Sequence, residues 1–232
     1  MPQGLLDAQY ARGRENRPEL IYRYRFRAQA AVAAAPAMKD GRLLDLGAAE
    51  GRTLAEMIRL GRPKEAWGVE LAQDLVDRAR ELGNPVVHGD VEHLPEFLRG
   101  MRFDVVCALA VLEHLDHPEA CLREAFSVLR SGGRFVASAP NPFWDRMAAR
   151  AGLHKEQEHH VRAFDGRVFA KLATEAGFVN IRVRPFMFVG SAFVPYLGLI
   201  PPVSLAYRME VPFAVPALGF AFVNQLFTAD KP

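Results

Sequence analysis

Alternation is the feature that most constrains this chain. From residue 42 to residue 140, short β-prone runs are interleaved with segments of helical period. RLLDLG at 42–47 reads as a buried strand and 53–60 as a helix. AWGVEL at 66–71 gives a second strand, 74–82 a second helix, and PVVHGD at 85–90 a third strand. FDVVCALAVL at 103–112 begins as a fourth strand. The segment 118–130 is a helix, with Leu122, Ala125, Phe126 and Leu129 on one face at i, i+3, i+4 and i+7. GRFVASAP at 133–140 is a fifth strand. The strands are near-continuously apolar, as strands covered on both faces are. This order predicts an α/β domain with a mainly parallel sheet.

The flanks fit the same plan. Residues 17–35 end in an alanine-rich run that favours helix, stopped by Pro36 and Gly41. Asp165 offers an N-cap. Val168, Phe169, Leu172, Ala173 and Ala176 form an apolar stripe, and Gly177 is a C-terminal stop. Residues 178–184 and 219–229 read as two last strands. There is no internal repeat and no low-complexity linker.

Composition narrows the function classes. Of 232 residues, 29 are basic and 27 acidic, a near balance that does not suit a binder of phosphate backbones. No basic surface interleaved with aromatics is evident, so nucleic acid is not an expected partner. The two cysteines, Cys107 and Cys121, sit in apolar runs, which excludes a disulfide scaffold and fits a reducing, cytoplasmic compartment. The first twenty residues lack the apolar core of a signal peptide.

Ligands of open α/β sheets bind beyond the carboxyl ends of the strands, so those ends carry the functional reading. The first gives Asp45-Leu46-Gly47-Ala48-Ala49-Glu50-Gly51, then a helix. Small residues let backbone approach a ligand, and the helix start offers free N–H groups, although glycine-rich turns also serve as plain connectors. The second strand ends in Glu70, about twenty residues on, where a carboxylate can accept both ribose hydroxyls or simply favour a helix N-terminus. The third ends in Gly89-Asp90, an acid able to accept an exocyclic amine. The fourth runs into Glu113-His114. A dinucleotide fingerprint needs glycine at the third and sixth positions from Gly47. Ala49 and Arg52 stand there, which weakens a nicotinamide-dependent oxidoreductase.

The pattern resembles the class I S-adenosylmethionine-dependent methyltransferases, in the subgroup known as types 11 and 23. Asp45, Gly47, Ala49 and Gly51 stand where that family has an acid followed by alternate glycines, Ala49 being the departure. GVEL at 68–71, GDVEHLP at 89–95, FDVVCALAVLEHLDHP at 103–118 and LRSGGRFVASAPN at 129–141 follow in family order. HHVRAF at 159–164 and the helix ending in AGF at 176–178 match a later segment, so the likeness covers about residues 40–185.

The resemblance implies a Rossmann-like seven-stranded sheet of order 3-2-1-4-5-7-6 with one antiparallel strand. It implies S-adenosylmethionine as cofactor, with Asp45, Gly47, Ala49 and Gly51 lining its amino-acid part. Glu70 would take the ribose, Leu71 pack on adenine, and Asp90 meet the adenine amine with Val91 beside it. Ala108 and Leu109 would floor the site near the sulfonium. Residues 1–40 would form an N-terminal helical cap on a domain over 41–232. In similar enzymes such a helix, here Tyr22 to Arg27, caps the pocket, where an arginine would suit the cofactor carboxylate; a solvated basic face is the competing reading. A degenerate cofactor-binding or partner-binding domain of this fold is the alternative, prompted by Ala49.

Methyl transfer is a single displacement that depends on alignment, often helped by a base. Histidine titrates near neutrality. His114, beside the methyl donor, or His160, with His159 in a later loop, is the candidate base or acceptor-orienting group; structural or solvated roles are the competing readings. The cluster His154, Glu156, Glu158, His159 and His160 matches no zinc signature, and no metal is expected.

Between Phe186 and Tyr207 no residue is charged, a length that could span a bilayer. Pro195, Pro201, Pro202, Pro212 and Pro216 oppose a spanning helix. Residues 190–218 instead read as a hydrophobic insertion between the last two strands. Its expected use is a lid over a small or lipid-like hydrophobic acceptor, with peripheral membrane contact or a homodimer face as further uses.

Overall fold

The computed structural model describes residues 17–150 and 164–232. Seven strands form one sheet in the order β3-β2-β1-β4-β5-β7-β6. They are β1 (Arg42–Leu46), β2 (Glu65–Glu70), β3 (Val86–His88), β4 (Phe103–Leu109), β5 (Leu129–Pro140), β6 (Val179–Phe188) and β7 (Phe222–Asp230). β1 to β5 pair in parallel, and β7 runs antiparallel to both β5 and β6. The expected order and the single reversed strand are both found.

Each face of the sheet carries its own core. Leu44, Val106, Phe135 and Phe227 face α5 (Pro118–Val128) and α7 (Gly166–Glu175). Leu43, Val105, Cys107 and Val136 face α1 (Pro18–Ala34), α2 (Arg52–Gly61) and α3 (Gln73–Glu81). Neighbouring residues such as Leu43 and Leu44 thus serve opposite cores, because side chains alternate along a strand. α1 enters this second core directly: Phe26 is fully buried, 6.5 Å from the Phe186 ring and 5.9 Å from the Tyr207 ring.

Local signals account for most boundaries. Asp165 caps α7 as expected, accepting from the amides of Arg167 and Val168 at 2.9 Å each. Gly177 stops it at φ 98°. Elsewhere the tertiary structure shifts the expected ends. The helix over 118–130 stops at Val128, and β5 takes in Leu129, which pairs with Phe103 ahead of a register shift. The last strand begins at Phe222 rather than at 219, because a 3-10 turn holds Pro216–Ala221. Asn141 fixes that turn by donating to the Gly219 and Phe222 carbonyls, both at 2.9 Å. The short α4 (Glu96–Arg99) and α6 (Pro142–Arg150) had no periodic signal.

The insertion is a chain of short turns: α8 (Val189–Phe193), a 3-10 turn over Val194–Leu197, and α9 (Val203–Glu210). Pro202 precedes α9 and Pro212 lies in the turn after it, so proline limits this helix to 8 residues. Among the described residues no helix is long and apolar enough to cross a membrane.

Candidate functional site

The carboxyl ends of β1, β2, β3 and β4 meet along one edge of the sheet. Asp45 is registered between Gly68 of β2 and Cys107 of β4. It is 3% exposed. Burial pushes its carboxyl up to about 8, and the nearby Glu70 carboxylate adds to the rise. Ionising a buried carboxyl is costly, and a cationic or hydrogen-bonding ligand would relieve that cost.

The turn after β1 is shaped by backbone geometry. Gly47, Ala49 and Gly51 have φ of 70°, 47° and 79°. A side chain at Gly47 would come within 2.6 Å of Val111, and one at Gly51 within 2.7 Å of Asn84. Glycine is therefore needed there for conformation and for close neighbours as well as for any ligand. The amides of Gly47 and Ala48 donate to the Val69 carbonyl at 2.9 and 3.0 Å, tying the turn to β2. Asn84 donates to the Glu50 carbonyl at 2.7 Å and braces it from the other side.

Glu70 is half-buried and its carboxylate turns inward. It accepts from the Ala49 amide at 2.9 Å, the Leu71 amide at 2.9 Å and the Ala72 amide at 3.0 Å. Burial still raises its titration above the ordinary carboxylate range, against the lowering effect of those amides. Leu71 beyond it is 41% exposed, free to pack on a ligand. Asp90 accepts from the Glu92 amide at 2.8 Å, and Gly89 donates to the Glu70 carbonyl at 2.9 Å, so the third strand end is joined to the second. Val91 is buried beside it.

The floor residues divide. Leu109 lies on the Asp45 side of the sheet and keeps 9% exposure. Ala108 is fully buried in the opposite core, so only its backbone faces this edge. His114 closes a 3-10 turn over Leu112–His114, directly after β4, and is half-buried. His160 lies outside the described residues, as do His154, Glu156, Glu158 and His159. Among the described residues, no three His, Cys, Asp or Glu side chains are grouped to hold a metal ion.

On α1, Arg25 is engaged elsewhere, with its Nε 2.8 Å from Glu56. Arg23 lies over the Tyr196 ring, 5.6 Å from its centroid. Tyr22 and Phe26 are core residues.

Several residues that hold the site are not singled out by the sequence reading. Glu210 of α9 is buried and accepts from the Met187 and Phe188 amides at 2.8 and 2.7 Å. It fastens the insertion at the point where Met187 adopts φ 62°. Trp144 donates to the Phe220 carbonyl at 2.9 Å and packs near Phe193, binding α6 to the insertion. An isolated acid in an apolar stretch was the one available pointer to Glu210.

Residues 14–183 match a family described as a methyltransferase domain. An uncharacterised 37.1 kDa protein of a Streptomyces fradiae transposon is 32% identical over 157 residues, covering 61% of this chain and 44% of that one. A ubiquinone biosynthesis O-methyltransferase of Xanthomonas euvesicatoria is 36% identical over 110 residues, 45% of each chain. The chain thus spans less than half the length of these curated relatives. A crystal structure of an S-adenosylmethionine-dependent methyltransferase from Thermotoga maritima, described as a possible histamine N-methyltransferase, shares the fold. Its TM-score is 0.67 at 21% identity, over 97% of this chain and 95% of that one.

Proposed function

The chain belongs to the class I S-adenosylmethionine-dependent methyltransferases, and from that premise we propose that it methylates a small or lipid-like, hydrophobic acceptor. The observation that carries the reading is Asp45: a buried carboxyl at the end of β1, with its titration raised by burial, next to Glu70 at the adjoining strand end.

These residues suit the cofactor's parts. Asp45, with the backbone of Gly47, Ala49 and Gly51, would hold the amino-acid end, whose ammonium would pair with the carboxylate. Glu70 would exchange its bonds to backbone amides for ribose hydroxyls, and Leu71 would cover the adenine. Asp90 and Val91 would take the adenine edge, and Leu109 with the backbone of Ala108 would lie under the sulfonium. When bound, S-adenosylmethionine supplies an electrophilic methyl group. The protein's task is then to align the acceptor and exclude water. His114, on the turn after β4, is the proposed base or acceptor-orienting group on the described side of the site, and His160 is the second candidate.

The acceptor class rests on the insertion over 190–218, whose apolar residues and Trp144 anchor border the same sheet edge. A second reading, a binding domain without turnover, is favoured by Ala49 at φ 47° where the family pattern has glycine. Incubation with methyl-labelled S-adenosylmethionine and a cell extract separates the two. Label in an organic-extractable product supports the enzyme, and cofactor binding with no label in any fraction supports the binder. His114→Ala and His160→Ala variants test the base: full turnover in both removes the histidine role.

A further inference from the structure

The insertion presents a large apolar surface. Phe193, Tyr196, Leu197, Leu199, Ile200, Leu205, Met209, Phe213 and Phe220 are all more than 44% exposed. Leu197, at 78%, stands furthest out. Isolated exposed apolar residues are ordinary, but this many along one segment mark a contact surface.

Charge selects the kind of contact. Between Phe186 and Phe227 the only charged residues are Arg208 and Glu210. Glu210 is buried and turned onto the β6 backbone, whereas Arg208 is exposed between Tyr207 and Met209. Within 186–227 the face therefore shows no exposed carboxylate and one exposed cation, and at its α1 side Arg23, which has Glu19 for a neighbour, lies over the Tyr196 ring. Apolar and aromatic side chains with an exposed cation among them complement an anionic lipid interface.

Position adds to this. β6 is parallel to β5, because both are antiparallel to β7. The insertion follows the carboxyl end of β6, so it lies at the same sheet edge as Asp45 and Glu70. A lipid-like acceptor could pass from a bilayer into the site without crossing water.

We propose that residues 190–221 dock the protein on an anionic phospholipid surface, from which it takes its acceptor. The second clause rests on the methyltransferase reading, while the docking itself does not. The test is flotation of the full chain with phosphatidylcholine vesicles, with and without phosphatidylglycerol. Cofactor binding is measured separately by calorimetry in the absence of lipid. The expected result is co-flotation with the anionic vesicles that weakens as salt rises. A Leu197→Glu, Leu199→Glu, Ile200→Glu variant should lose binding by roughly tenfold or more. Arg208→Glu, which replaces the cation with an anion without touching the apolar side chains, should weaken it by about tenfold or more. Both variants should keep the wild-type circular dichroism spectrum and cofactor affinity. Absence of co-flotation, equal binding to neutral vesicles, or undiminished binding by the triple variant overturns the proposal. So does a dimer that the triple variant splits while the wild type ignores vesicles, since a second copy then covers the face. Vesicle binding without cofactor binding would leave the docking standing and overturn the methyltransferase reading instead.

Discussion

The Glu70 carboxylate accepts a 2.9 Å hydrogen bond from the amide of Ala49, joining the end of β2 to the turn that follows β1. A residue with φ 47° is thereby held in place by an acid from the neighbouring strand. Turn and acid are one unit, and substitutions at either should register at both.

Replacing Glu70 by Ala leaves the amides of Ala49, Leu71 and Ala72 without their acceptor. The expected loss is about 1–3 kcal/mol of stability, read in denaturant unfolding, together with weaker cofactor binding. A variant with wild-type stability and weaker binding would place the whole role of Glu70 on the ligand.

Ala49→Gly relieves the left-handed backbone strain at this position, which costs a non-glycine residue about 1 kcal/mol. The melting temperature should rise by about 2–4 °C in a chain of this size. An unchanged or lower melting temperature would mean that the turn relaxes without the methyl group.

Asp45 sets a pH dependence. Its carboxyl is pushed up from the ordinary 3.8 to about 8 by burial. Between those values the folded protein holds a proton that the unfolded chain has released, so stability of the free protein falls as pH rises through this window. A cationic ligand group pairs with the ionised form, so cofactor affinity should rise with pH up to about 8 and then level off. Asp45→Asn should flatten both profiles, as calorimetric titrations and melts across the range would report. A flat profile in the wild type would remove Asp45 from the binding account.

Glu210→Ala removes the acceptor for the Met187 and Phe188 amides where Met187 holds φ 62°. About 1–3 kcal/mol should be lost, and limited proteolysis should cut first within the insertion. Phe26→Ala, beneath the same contact, should cost about 3–5 kcal/mol because its fully buried ring leaves a cavity between α1, Phe186 and Tyr207.

The alternation of strands and helices was legible in the sequence because apolar runs and small strand-end residues are local signals, whereas the order 3-2-1-4-5-7-6 came with the family resemblance. Asp45, Gly47, Gly51 and Glu70 could be picked out because they stand at strand ends, where ligands of such sheets bind. The division between Ala108, in the core, and Leu109, toward the site, follows from strand alternation once the register is fixed. What local patterns could not carry is long-range support. Asn141 reaches Gly219, Glu210 reaches Met187, and Asn84 braces the turn at Glu50. Such partners are set by how elements pack, and no periodicity marks them. The short α9 was missed for a related reason: prolines on both sides signal a break, and packing of Tyr207 on Phe26 makes a helix between them worth forming.

The most direct measurement of the central claim is a calorimetric titration of the protein with S-adenosylmethionine, run beside Asp45→Ala and beside a nicotinamide dinucleotide. Saturable binding of S-adenosylmethionine by the wild type, its loss in the variant and no heat from the dinucleotide are the predicted results. Binding that is absent in the wild type, or that survives unchanged in Asp45→Ala, would contradict the account.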